Sequence, residues 1–189
     1  MPRGDSKSRM VASAVTLLRE GGAAAVTIDA VLAHSGAPRG SVYHHFPGGR
    51  DQLLLTAGHS AATYITNLIT EAAASNDPIA LIDRFVDFWK RALISSEYSA
   101  GCPVVSLAVN ARDDLPEAAE LVHDTFAAWQ QHLTAVLAHV GRPHDDAAAL
   151  ATLMICAIEG AILLCRAQRS LEPLNQVAVR LRSAVSAPS

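Results

Sequence analysis

Apolar positions along this chain recur at three- and four-residue intervals, and no stretch shows the two-residue alternation of a half-buried strand. Met10, Val11, Ala14, Val15 and Leu18 share one face of a helix from about Ser6 to Arg19, which Gly21-Gly22 stops. Thr27 is placed to cap a short helix, Ile28 to His34, that buries Ile28, Val31 and Leu32. Ser35-Gly36-Ala37 turns the chain. Pro38 then opens a third short helix carrying Arg39-Gly40-Ser41-Val42-Tyr43-His44, because the N–H that proline lacks is not needed at a helix start. Phe46-Pro47-Gly48-Gly49 ends it.

From Asp51 the elements lengthen. The pattern predicts a helix to Ala74, another opened by Pro78, and a short buried one from Cys102 to Ala111. Asp114-Leu115-Pro116 starts a long helix through Val140, Asp145 starts a very apolar one to about Arg169, and Pro173 opens the last to about Ala184. The expectation is an all-α chain of nine helices, with a three-helix head at 1–50 and a helical body at 51–189. The helix from Asp51 would join them without a flexible linker.

Charge sharpens this division. Net charge over the 189 residues is −3, but residues 1–50 carry six Lys/Arg against three acids, and the rest carries nine against fifteen. A basic head on an acidic body suits a head that meets a polyanion. Cys102, Cys156 and Cys165 form no CxxC pair and read as reduced, mostly buried thiols. The N-terminus has no apolar signal core, and Glu159 would be costly in a bilayer, so a cytoplasmic protein without a membrane span is expected.

Thr27 to Phe46 holds the chemistry. Two short helices flanking a tight turn at Gly36 form a helix-turn-helix, in which the first helix braces the second against DNA. The leading end of the second, Pro38-Arg39-Gly40-Ser41, offers a cation, a small hydroxyl and an open backbone to base edges and phosphates, while Val42 and Phe46 face inward. Thr27-Ile28-Asp29-Ala30-Val31 and Ser35 to Phe46, above all Gly40-Ser41-Val42-Tyr43-His44-His45-Phe46, resemble the DNA-binding domain of TetR-type repressors. Gly36 to Gly49, with Gly101-Cys102-Pro103-Val104, is similar more narrowly to the LmrA/YxaF-like branch. Three positions depart from the pattern: Pro38 stands where a capping serine is usual, Arg50 where a lysine is usual, and Leu32 where a small alanine is usual.

The resemblance implies a homodimer that binds operator double-stranded DNA and releases it when a small, aromatic or drug-like effector fills a cavity in the body. It places Thr27, Pro38, Arg39, Gly40, Ser41, Tyr43, His44 and Arg50 at the DNA. Thr27 also serves as a plain N-cap, and Tyr43 and His45 have alternative places in the head's own packing. A helix-turn-helix activator, or a nucleoid-type binder without effector, is the alternative function.

In the body, Asp145 to Arg169 is apolar all round, which asks for burial on every side. Leu150, Leu153, Ala157, Ala161 and Leu164, with Val177 and Leu181 on the last helix, are the expected dimer interface. Tyr64, Leu68, Phe85, Phe88, Trp89, Val105, Asn110, Phe126, Trp129, Met154 and Glu159 are the expected cavity lining, with plain core packing as the competing role for each. Glu159 asks for a partner, either an arginine (Arg84, Arg91 or Arg112) or a ligand. No phosphate loop, nucleophile elbow or zinc signature occurs, and His44-His45 has no further ligand at metal-binding spacing. Neither an enzyme nor a cofactor is expected.

Overall fold

The computed structural model describes residues 6–110 and 115–186, with the side chain of Asn110 left aside. Among these residues every regular element is helical: α1 Ser6–Gly21, α2 Ile28–Ser35, α3 Arg39–His45, α4 Gly49–Ala73, α5 Pro78–Ser95, α6 Pro103–Asn110, α7 Pro116–His139, α8 His144–Gln168 and α9 Glu172–Ser186. A single 3-10 turn, Ala23–Ala25, follows α1. The chain divides into two compact units. One takes the chain up to Thr63 together with Cys102–His123, and the other takes Tyr64–Gly101 together with the chain from Asp124 onward.

In the first unit, local chemistry fixes each boundary. Thr27 Oγ1 accepts the Ala30 N–H at 3.1 Å and so caps α2. Gly36 ends it in the left-handed region (φ 63°), and its N–H bonds the Leu32 carbonyl. Pro38 stands in extended geometry ahead of α3 without a side-chain cap. The Gln52 side-chain oxygen, one turn into α4, accepts the Gly48 N–H at 2.9 Å. Met10, Ala14, Leu18, Val26, Val31, Val42 and Leu53 are fully buried and Phe46 is 1% exposed, so the three short helices close on one apolar centre. Each helix of the turn motif is also tied to α1 by a histidine. His34 Nδ1 lies 3.0 Å from Ser13 Oγ, and His45 Nε2 lies 2.9 Å from Ser6 Oγ. The short helix α6 belongs here and is less buried than its composition suggests: Val104 and Leu107 are inside, but Val109 is 76% exposed.

In the second unit, Asp77 Oδ1 accepts the Ile79 and Ala80 N–H groups at 2.8 and 3.2 Å, and Pro78 takes the first helical position of α5. Helix α9 packs on α5 and α8, and an Arg182–Asp83 ion pair at 2.6 Å reinforces the first contact. Arg142, between α7 and α8, bonds Asp146 and the Ala184 carbonyl. Gly101 lies against the end of the Arg166 side chain, whose Nη1 would have to shift to admit a Cβ there.

Helix α8 departs from the expectation of burial on every side. Ala147, Leu150, Ala151, Met154, Ile158, Ala161, Ile162 and Cys165 are buried, but Leu153, Leu163 and Leu164 are 53, 64 and 50% exposed. They share a stripe with Cys156 and Gly160, so the helix is apolar on both faces and covered on one. By length and composition alone α8 would also span a membrane.

Candidate DNA interface and interior cavity

The DNA-facing candidates occupy the outer side of α2 and α3. Because Val42 and Phe46 turn inward, Arg39, Gly40, Tyr43 and His44 turn outward, and Tyr43 is 60% exposed. A Cβ at Gly40 would meet nothing within 4 Å, so this glycine leaves the surface open rather than filling a need of the fold. Ser41 donates its hydroxyl proton to the Pro38 carbonyl at 2.7 Å, a bond opposite in direction to a cap, so the start of α3 has no side-chain acceptor for its N–H groups. Tyr43 has no share in the buried centre of the head. The His44 and His45 rings meet edge to face at 4.9 Å, and the half-buried His45 is held by Ser6.

Both arginines expected at the DNA are engaged within the head. Arg50 donates to the Ala23 carbonyl at 2.7 Å and pairs with Asp51 at 3.2 Å, so it fastens the start of α4 to the 3-10 turn. Arg39 pairs with Asp29 in the first turn of α2, both side chains remaining about three-quarters exposed (71 and 75%). Sequence reasoning placed Arg39 at the DNA but gave Asp29 no part, because a contact between residues ten apart on two helices has no periodic signature.

The second unit encloses a cavity of about 30 Å³. Ile69, Leu81, Ile82, Phe85, Trp129, Leu133, Met154, Ile155, Ile158, Glu159 and Leu181 line it, so its one charged group is a carboxylate. Of the expected lining, Phe85, Trp129, Met154 and Glu159 come together here. Trp129 is fixed by an N–H bond to Thr66 Oγ1 at 2.8 Å and by an edge-to-face contact with Phe126 at 5.2 Å. Leu68 and Phe88 border a separate surface groove of about 190 Å³ with Glu71, Arg84, Asp87 and Arg91, and Phe85 borders both hollows. Tyr64 is 57% exposed and touches only the rim of the aromatic cluster, through Phe88. Trp89 is buried within that cluster, its indole N–H without a hydrogen-bond partner. Val105 is half-buried on α6 in the other unit. Asn110 and Arg112 fall outside the described side chains.

The expected interface residues separate too. Leu153, Ala157, Leu164 and Val177 border an open trough between α8 and α9 of about 810 Å³. Leu181 also lines the trough although it is only 3% exposed, whereas Leu150 and Ala161 lie in the protomer's own core at 8 and 1% exposed. A helical wheel gives the angular position of these residues but not which sector the neighbouring helices cover. Leu163 on α8 and Val179 on α9 are exposed as well, at 64 and 58%. The cysteines are mostly buried, as expected: Cys102 and Cys165 are inside, and Cys156 is exposed.

An all-helical chain with a helix-turn-helix in its N-terminal unit is built as a DNA-binding regulator. Residues 11–57 match the family model of bacterial regulatory proteins of the tetR family, and residues 78–180 match the C-terminal domain of LmrA/YxaF-like transcriptional regulators. An uncharacterized HTH-type transcriptional regulator of Mycobacterium tuberculosis is 41% identical over 182 residues, which cover 94% of this chain and 92% of the relative. The HTH-type transcriptional regulator LmrA of Bacillus subtilis is 29% identical, with 94 and 95% covered. Among solved structures, a TetR transcriptional regulator from Legionella pneumophila superposes with a TM-score of 0.83 at 20% identity, covering 97% of this chain and 98% of that one. The chain belongs to the TetR family of transcriptional regulators, in the LmrA/YxaF-like branch.

Proposed function

We propose that this regulator is a repressor that reads a two-fold operator as a homodimer and leaves it when a small effector occupies the cavity of its second unit. The observation that carries the reading is the division of α3: Val42 is fully buried, and Arg39, Gly40, Tyr43 and His44 are turned outward for a major groove. Head and body are taken functionally as 1–50 and 51–189. Thr27, Pro38, Arg39, Gly40, Ser41, Tyr43, His44 and Arg50 are assigned to the DNA, with Arg50 acting mainly as a clamp that positions the start of α4. A protein of this activity works in the cytoplasm, where its DNA is.

The dimer is supported by the uncovered stripe of α8 and the trough beside α9. A second copy would cover Leu153, Leu163, Leu164 and Val179, and Gly160, where an added Cβ meets nothing, leaves room for close helix approach. The effector is argued from the cavity wall. With apolar and aromatic neighbours, one carboxylate and no basic side chain, it suits an apolar or aromatic, uncharged or cationic compound rather than a strong anion. Its volume of about 30 Å³ is far below that of a pocket for a drug-sized molecule, so such an effector has to create room. Helix α4 links the two events covalently: its first turn follows the head, and its Ile69 borders the cavity.

Fluorescence anisotropy tests the reading, with the duplex upstream of the protein's own coding sequence beside a scrambled duplex at equal salt. Saturable binding to the upstream duplex alone supports an operator reader. Equal, salt-steep binding to both supports the nucleoid-type alternative.

A further inference from the structure

We propose that Asp29 is a specificity-determining residue: it holds the Arg39 guanidinium in position to read one G·C pair and keeps that cation off the phosphates. The inference rests on the DNA-reading function proposed above and adds a residue to it. Its basis is the ion pair between Asp29 in the first turn of α2 and Arg39 in the first turn of α3.

The fold gives this pair little reason to exist. Both side chains are about three-quarters exposed, and ion pairs in such positions contribute little to stability. Asp29 does suit the positive end of α2, but Arg39 puts a cation at the corresponding end of α3, where the helix dipole disfavours it. A carboxylate beside a DNA-facing helix also repels the polyanion that the basic head attracts. The pair is therefore a cost to general DNA binding, and positioning is what it offers in return.

Guanidinium geometry permits this. Arginine carries five N–H donors in a rigid planar fork, so one edge can be held by a carboxylate while the remaining donors stay available. Bidentate recognition of guanine O6 and N7 needs such a fork in a fixed plane. An untethered arginine on the same surface would settle on phosphates, which carry no sequence information. Asp29 thus exchanges non-specific affinity for selectivity.

The test is selection of bound duplexes from a random pool by the intact wild-type protein, Asp29→Asn, Asp29→Glu and Arg39→Lys. It is followed by anisotropy at several salt concentrations on the wild-type consensus and a scrambled duplex. Asp29→Asn is expected to lose preference at one G·C column of each half-site, by about tenfold in relative affinity per half-site. It should also bind the scrambled duplex more tightly, with a salt slope steeper by about 1.8 per dimer because each of the two released guanidinium groups neutralises one more phosphate. Asp29→Glu should retain the preference in part. Arg39→Lys should lose the same column without the steeper slope. A consensus and slope unchanged in Asp29→Asn overturn the inference, as does a uniform affinity loss on both duplexes, which would assign Asp29 to the fold alone. Failure of the wild type to enrich any motif would instead overturn the operator-reading function, and this inference with it.

Discussion

Leu164→Lys is the sharpest perturbation of the proposed dimer, because it alters a side chain that the protomer does not use fully. Leu164 is 50% exposed on α8 and borders the trough beside α9. Complete burial of a leucine is worth about 1.5–3 kcal/mol, so covering the remaining half contributes about 1 kcal/mol, and two-fold symmetry doubles it to about 2. Lysine at the same position also brings two ammonium groups into a desolvated seam, which adds at least as much again. A total near 4 kcal/mol raises the dimer dissociation constant roughly a thousandfold. Sedimentation velocity or mass photometry across a dilution series reads this directly, with circular dichroism to show that the helices remain. Ile94→Lys is the control, an equally exposed apolar position (57%) on α5, away from the stripe, and should leave the dimer intact. Operator affinity of Leu164→Lys should fall with the dimer. A variant that remains dimeric at the wild-type concentration would refute the α8–α9 seam, and so would a wild type that sediments as a monomer at micromolar concentration.

Other expectations follow from the interior. Thr66→Val removes the acceptor of the Trp129 N–H and should cost about 1–3 kcal/mol in thermal or urea unfolding, with a changed Trp129 emission. Phe46→Ala, deep in the head, should cost about 3–5 kcal/mol and abolish operator binding, whereas Tyr43→Phe should leave the melting temperature unchanged and weaken only DNA binding. Thiol titration should separate the cysteines. Burial pushes the Cys165 thiol above its ordinary pKa, with a backbone hydrogen bond from Leu174 only partly offsetting this, so it should resist labelling until the protein unfolds. Cys156 should label quickly in the Leu164→Lys monomer and slowly in the dimer.

The local punctuation of the chain was fully legible. Thr27, Gly36, Pro38 and Pro78 act at their own positions through caps, a left-handed residue and a missing N–H, so their meaning does not depend on distant neighbours. The 3-10 turn at Ala23–Ala25 was not legible, since three alanines carry no signal between helix and loop. The sidedness of α8 was not legible either. Composition told that both faces are apolar, but only the placement of α5 and α9 decides which face remains open. The cavity failed in a similar way. Aromatic character marks a residue for burial or for a surface cluster alike, so Trp129 and Tyr64 looked equivalent although one is 2% exposed and the other 57%. Phe85, Trp129, Met154 and Glu159 converge because of how α5, α7 and α8 pack.

Phe85 borders both the small cavity and the surface groove, so under the proposed effector reading it would set a thermodynamic ceiling on affinity. A compound that needs the ring's space binds only those molecules in which the ring has rotated away, so its measured dissociation constant is the intrinsic one divided by that minor fraction. Replacing the phenyl ring by something smaller would raise the competent population and tighten binding without adding a single contact. The same substitution would lower the melting temperature, because the ring belongs to the aromatic cluster with Phe88 and Trp89. Under that reading, sensitivity to the effector and resistance to heat would be set against each other at a single side chain.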